Sequence, residues 1–184
     1  MMTDPVLATG MQAGTAVVVL LGAFAKWRGL AVFRRALGGY GLLPDLLIAP
    51  VAFAIPAAET LGATALLFPA TRTIGAAVLV ALLLAFAVAL ALNIVRGHTD
   101  IDCGCSGFGA SQASAPRGIG WPHVARALLL AALVATAFIA SSARQIVWFD
   151  YLTLFFAVLL MVCALFIVDA LIANAPRLSH LRNS

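Results

Sequence analysis

Five long apolar runs constrain the fold of this chain more than any other feature. A membrane-spanning helix needs about 20 mainly apolar residues, because each residue adds about 1.5 Å across a hydrocarbon layer of roughly 30 Å. Five runs reach this length, at residues 6–26, 46–68, 74–95, 123–143 and 147–173. Within them, apolar residues do not alternate with polar ones, as they would in barrel strands. We predict an all-α fold, a polytopic transmembrane bundle of about five spanning helices, with a four-helix core plus one.

The composition supports a single integral membrane domain over residues 1–184. Hydrophobic residues make up 64% of the chain and charged residues 10%, whereas soluble domains carry about 25% charged residues. The net charge is +4, but the basic residues lie between apolar runs. They are predicted to set topology and to contact the lipid bilayer, not nucleic acid. The first run follows the acidic Asp4 without a basic flank, so we expect a retained helix, not a cleaved signal peptide.

The loop between the first two runs is predicted to contain a short amphipathic helix. Its apolar positions fall on one helical face: Leu30, Phe33 and Leu37. Arg34 and Arg35 fall on another face, and the glycine pair at 38–39 ends the pattern. Such a helix either anchors the chain at the membrane interface or covers a site.

The longest polar segment lies between the third and fourth predicted helices, at residues 96–122, and we call it the Cys loop. It contains the sequence Cys103-Gly104-Cys105. Two positions of extended chain span about 6–7 Å, which is close to the upper limit for Cα atoms joined by a disulfide. A disulfide between these residues would be strained and readily reduced, which favours thiol–disulfide exchange.

Two other interpretations of Cys103 and Cys105 remain open. They could bind a metal together with His98 or His123, although structural zinc sites usually have wider spacing and a second ligand pair. They could also be inert. The third cysteine, Cys163, lies mid-way along the fifth run and is predicted to be an apolar packing residue.

An intramembrane polar site is predicted around Glu59, near the centre of the second run. A carboxylate at this depth normally faces the interior of the bundle and pairs with another group. Lys26 is the first candidate partner, with His123 and Arg126 as the others. The site would serve either as a structural polar lock or in a proton-linked or quinone-linked role.

Four motifs occur together between residues 6 and 108. They are Phe24-Ala25-Lys26-Trp27-Arg28, Phe33 with Tyr40-Gly41-Leu42-Leu43-Pro44, Pro56 with Glu59 and Gly62, and Asp102-Cys103-Gly104-Cys105. With them the chain resembles the MauE family of methylamine utilization proteins, within the wider MauE/DoxX group of redox-associated membrane proteins.

The resemblance implies a maturation role. The expected client is the small (beta) subunit of periplasmic methylamine dehydrogenase, which carries many disulfides and a tryptophan-derived quinone. The expected partner is a periplasmic thioredoxin-like protein of the MauD type, and Cys103 and Cys105 would be the exchanging pair in the bacterial inner membrane. The resemblance implies no resident cofactor. It leaves open whether a quinone is the electron acceptor and whether the chain turns over as a thiol–disulfide oxidoreductase. The alternatives are a non-redox membrane assembly or chaperone protein, and a small transporter or metal-handling protein.

The charge distribution conflicts with this role. Five spans place the first loop, the Cys loop and the C-terminal tail on one side of the membrane. That side carries eight basic residues: Lys26, Arg28, Arg34, Arg35, Arg96, Arg117, Arg177 and Arg182. The other side carries two, Arg72 and Arg144. The positive-inside rule therefore predicts a cytoplasmic Cys loop, whereas the implied role favours the periplasm, which we adopt.

Overall fold

A computed structural model describes residues 4–101, 118–139 and 147–182 of the chain. All regular structure in these ranges is helical. The helices are α1 (Pro5–Arg28), α2 (Leu30–Gly39), α3 (Asp45–Leu67), α4 (Arg72–Val95), α5 (Trp121–Ala135), a 3₁₀ turn (Thr136–Phe138) and α6 (Trp148–Arg182). Five of the described helices are long and apolar enough to cross a membrane. The predicted all-α, five-span architecture is confirmed.

The helix ends follow the predicted runs closely for the first three spans and less closely for the last two. The fourth run was predicted to continue to residue 143, but regular α-helix ends at Ala135 and tightens into the 3₁₀ turn. The Thr136 hydroxyl donates to the Leu133 carbonyl at 2.6 Å, within this last turn. The fifth run was predicted to end at 173, whereas α6 continues to Arg182, beyond the apolar stretch that defined the prediction.

Four helices form the core of the bundle and α6 lies at its edge. Within the described residues, α4 packs against α3 and α5, and α1 packs against α3. Their contact is a cluster of buried side chains: Ala16, Val19, Ala63, Leu66, Ala76, Leu79 and Val134. The sixth helix packs mainly against α1 and leaves most of its apolar side chains exposed, as expected for a helix surrounded by lipid.

Small residues set the closest helix contacts, because in lipid a helix pair gains stability when the two backbones can approach. A Cβ atom placed on Gly75 of α4 would lie 2.6 Å from the Gly62 carbonyl oxygen and 2.7 Å from the Leu66 nitrogen of α3. Gly14 of α1 is similarly close to α6, since its Cβ would lie 2.6 Å from the Met161 sulfur. Gly75 therefore faces fixed backbone, whereas Gly14 faces a flexible side chain.

The amphipathic helix predicted in the first loop is present as α2. Phe33 and Ala36 are buried, while Arg34 and Arg35 are exposed. The helix packs against α3. The indole of Trp27, at the end of α1, reaches Thr60, whereas Gly38, near the end of α2, lies close to Ile48, so α2 runs antiparallel to α3. This helix therefore extends the wall of the bundle beyond the end of α1.

Candidate functional site

An ion pair joins α1 to α3 inside the bundle. The Lys26 Nζ atom lies 2.8 Å from both carboxylate oxygens of Glu59. The Lys26 side chain is only 11% exposed and the Glu59 side chain only 16% exposed. Of the three partners considered for Glu59, the structure pairs it with Lys26. Lys26 lies within the first candidate span and Glu59 within the second, so the pair belongs to the membrane-embedded part of the chain.

Aromatic and hydroxyl groups hold the surroundings of the pair in place. The Trp27 Nε1 atom donates to the Thr60 hydroxyl at 3.2 Å, and that hydroxyl donates to the Pro56 carbonyl at 2.7 Å. The Trp27 ring also meets the Phe53 ring edge to face, at a centroid distance of 4.9 Å. These contacts fix the end of α1 against α3, which restricts where the adjacent Lys26 can reach.

The ion pair lies in the wall of a partly open cavity of about 330 Å³ that is lined mainly by residues of α1, α2, α3, α4 and α5. Most of the lining is aliphatic or aromatic, from residues such as Val18, Ile55, Leu82 and Phe86. The exceptions are side chains with polar groups: Lys26, Tyr40, Glu59, His123 and Arg126. The structure thus brings together all of the side chains that the sequence offered for an intramembrane polar site, and it adds Tyr40.

Tyr40 connects the cavity to the Cys loop. It is 5% exposed and packs in a buried cluster with Leu90, Ile119, Val124 and other residues of α4 and α5. Ile101, near the start of the loop, packs against the same cluster. A backbone hydrogen bond of 2.8 Å from the Ile119 nitrogen to the Thr99 carbonyl brings the two described ends of the loop together. Both ends therefore lie beside the α2 wall of the cavity.

The backbone at the start of the Cys loop is fixed by the end of α4. The His98 nitrogen donates to the Asn93 carbonyl, and the Gly97 nitrogen donates to the Ile94 carbonyl. This pair of bonds is the Schellman pattern, which requires a left-handed residue after the helix. Gly97 supplies it with φ of +77°. The predicted exchange residues, Cys103 and Cys105, lie outside the described residues, and their role remains a prediction.

Cys163 does not occupy the position expected for it. The sequence predicts a packing residue, but the structure places its thiol in an exposed position, free of any disulfide. The cause is the peripheral position of α6, whose contacts in the described chain are mainly with α1. A helix with one packed face leaves the rest of its circumference to lipid, so a central position along its length does not imply burial.

Tyr40, Trp27 and Thr60 are site residues that sequence reasoning did not select. The sequence did mark Trp27 as the end of the first span and Tyr40 as part of a motif, but no pattern linked either to Glu59. The packing of α2 against α3 brings Tyr40 to the cavity, and the packing of α1 against α3 brings Trp27 to Thr60, next to Glu59. Both arrangements are long-range. The i, i+4 spacing of Pro56 and Thr60 is the only local signal for their hydrogen bond.

The chain matches a family of known proteins over most of its length. A family model described as "Methylamine utilisation protein MauE" matches residues 4–141. The chain belongs to the MauE family. The match covers α1 to α5, the cavity and the Cys loop, and ends before α6. This member of the MauE family is therefore a multi-pass membrane protein whose cavity lies wholly within the family's region.

Individual relatives agree with the family match. A methylamine utilization protein MauE from Methylophilus methylotrophus is 39% identical over 133 residues, covering 72% of this chain and 68% of the relative. One from Paracoccus denitrificans is 34% identical over 130 residues, covering 71% and 67%, respectively. No solved structure matches the chain.

Proposed function

We propose that this chain is a thiol–disulfide exchange factor of the bacterial inner membrane. It assists disulfide formation and assembly of the small subunit of methylamine dehydrogenase, and a periplasmic thioredoxin-like protein of the MauD type works beside it. The observation that carries the proposal is the position of a Cys-Gly-Cys sequence in a loop whose ends pack beside a cavity with polar groups. Membership in a methylamine utilisation family supplies the metabolic setting.

The proposed exchange begins with the Cys103–Cys105 disulfide. A thiolate of the client subunit attacks one sulfur of that disulfide, which forms a mixed disulfide and releases the other cysteine as a thiolate. A second client thiolate then attacks the mixed disulfide. The client gains one disulfide, and two electrons remain on Cys103 and Cys105 as a dithiol. Its reoxidation requires a partner disulfide or a quinone.

The Gly residue between the cysteines suits this chemistry. Gly104 has no Cβ atom to resist the tight bend that the small ring of a Cys103–Cys105 disulfide would impose. Strained disulfides have more oxidising potentials than structural ones, which favours transfer of the disulfide to a client. The exposed Cys163 lies on α6, outside the family match, and has no part in the proposed exchange.

The test replaces each cysteine in the full-length chain in a methylamine-grown host. Cys103→Ser and Cys105→Ser should each abolish accumulation of the disulfide-complete small subunit while the variant chain stays in the membrane. Cys163→Ser is the matched control and should leave accumulation unchanged. The measurement is the thiol content of the small subunit by mass-shift labelling, with membrane levels of the variant determined in parallel. Normal maturation in both single variants would overturn the redox proposal.

The same variants separate the two alternatives. A non-redox assembly protein would retain function without either thiol but lose it when α2, which packs along α3, is altered. A transporter or metal-handling protein would show flux or bound metal in the purified state, and both would be lost with Cys103 and Cys105 or with Glu59.

A further inference from the structure

We infer that the cavity lined by α1 to α5 binds the headgroup of a membrane quinone, which serves as the electron acceptor of this chain. The inference rests on the proposed exchange function and names its oxidant. It is carried by three properties of the cavity: its size and apolar lining, the hydrogen-bond donor within it, and its position beside the described ends of the Cys loop.

The size and lining fit a small lipophilic molecule. The cavity holds about 330 Å³, at the lower end of the range of roughly 300–1,000 Å³ that is usual for small-molecule sites. Its walls are mainly apolar side chains, including Val51, Leu83 and Leu130. Lys26 and Glu59 form an ion pair within hydrogen-bonding distance, and Arg126 is a further cationic group in the lining. Such a lining favours a ligand with an uncharged ring and an apolar body.

The ion pair supplies a donor for a carbonyl oxygen. An ammonium group has three N–H donors and no acceptor. The two Glu59 oxygens, both at 2.8 Å, account for two of the three donors of Lys26. The Lys26 side chain lines the cavity, and its Nζ atom lies 5.8 Å from the centroid of the Phe33 ring. A quinone carbonyl can accept the third N–H while its ring packs among the aromatic and aliphatic side chains.

The described ends of the Cys loop lie beside the cavity, and this is the observation that links the cavity to the proposed dithiol. Tyr40 lines the cavity and packs against Ile119, and Ile101 packs against the same cluster. Ile101 precedes Cys103 by two residues in the sequence. The balanced step is the oxidation of two thiols to one disulfide with reduction of one quinone to one quinol. The two electrons and the two thiol protons pass to the two carbonyl oxygens.

Photolabelling of the purified full-length chain tests the binding site. The probe is an azido derivative of a short-chain ubiquinone, and the labelled peptides are identified by mass spectrometry. We expect labelling of peptides from α1, α2 or α3 that excess decylubiquinone suppresses. Leu82→Trp fills the cavity and should lower the suppressible labelling about tenfold, since the lining that buries the ring is then occupied.

The matched control is Leu84→Trp, on the same helix. Leu84 is 43% exposed on the outer side of α4, whereas Leu82 lines the cavity. This variant should retain wild-type labelling, and both variants should elute from size-exclusion chromatography as the wild type does. Labelling that decylubiquinone does not suppress, or that falls equally in both variants, would overturn the inference and indicate partition into detergent or lipid. If Leu82→Trp does not fold, Ala89→Phe, also in the lining, provides the second cavity-filling variant.

The two proposals fail in different ways. A Cys103→Ser, Cys105→Ser double variant should still bind the probe, because the cavity is built from other residues, but it should no longer reduce decylubiquinone. Suppressible labelling together with normal client maturation in the cysteine variants would overturn the exchange function and leave the quinone site standing. Client maturation that depends on both cysteines, without suppressible labelling, would overturn the quinone site alone and leave the thioredoxin-like protein as the oxidant.

Discussion

The Lys26–Glu59 pair is the residue-scale feature that links two walls of the cavity. It joins α1 to α3 and contributes to the lining from both helices. Removing one partner of a buried pair leaves an uncompensated charge, whereas removing both leaves none. The pair should therefore respond very differently to single and double substitution.

We predict that Lys26→Met lowers the free energy of unfolding by about 3 kcal/mol, because Glu59 then stays in the bundle without its cation. Adding Glu59→Leu to Lys26→Met should recover more than half of that loss. The measurement is the thermal unfolding of purified variants in one detergent. Arg34→Met, which removes an exposed charge from α2, should change the free energy of unfolding by less than about 0.5 kcal/mol. A double variant as unstable as Lys26→Met would show that the two charges are not coupled.

At the residue scale the sequence predicted which groups are polar within the membrane but not which of them touch. Glu59 required a partner, and three were available from composition and hydropathy alone. Glu59 pairs with Lys26 because α3 packs against α1 and places Glu59 level with the last turn of α1. No local sequence pattern predicts this packing. The exposure of Cys163 could not be predicted for the same reason, since it depends on which face of α6 meets α1.

At the scale of helices, the sequence predicted where the helices lie along the chain better than it predicted how they pack against each other. Hydropathy identifies a membrane-spanning helix because the bilayer demands both its length and its apolarity. It identified α2 as amphipathic, but it could not say that α2 continues along α3 as a wall of the cavity. Hydropathy also does not indicate that Gly75 of α4 lies against Gly62 of α3, or that Gly14 of α1 lies against Met161 of α6.

We predict that Gly75→Ala destabilises the bundle by about 2 kcal/mol, which is typical of overpacking against atoms that cannot move. The added Cβ would lie 2.6 Å from the Gly62 carbonyl oxygen, so α3 and α4 must separate. Gly10→Ala is the control, because its Cβ would meet only the Leu154 Cδ1 atom, at 3.4 Å. That variant should be neutral or slightly more stable, given the higher helix propensity of alanine. Equal unfolding temperatures for the two variants would contradict the close α3–α4 contact.

At the scale of the whole molecule, the orientation in the membrane decides whether the proposed function is feasible. Five spans place α2 and the Cys loop on one side and the turn between α3 and α4 on the other. Eight basic residues were counted on the Cys-loop side, but Lys26 is paired with Glu59 inside the bundle, so seven remain to act on topology. The excess still favours a cytoplasmic Cys loop. The proposed client and partner, by contrast, require a periplasmic one.

Two reporter cysteines decide between these orientations. In a chain with Cys103, Cys105 and Cys163 replaced by serine, His98→Cys places a thiol after α4 and Ala70→Cys places one before it. Both native residues are exposed. We predict that a membrane-impermeant maleimide labels His98→Cys in intact spheroplasts and labels Ala70→Cys only after the membrane is opened. The reverse result would place the Cys loop in the cytoplasm, where thiols are kept reduced, and would exclude direct exchange with a periplasmic client. Labelling of both reporters from the same side would contradict the span assigned to α4 itself.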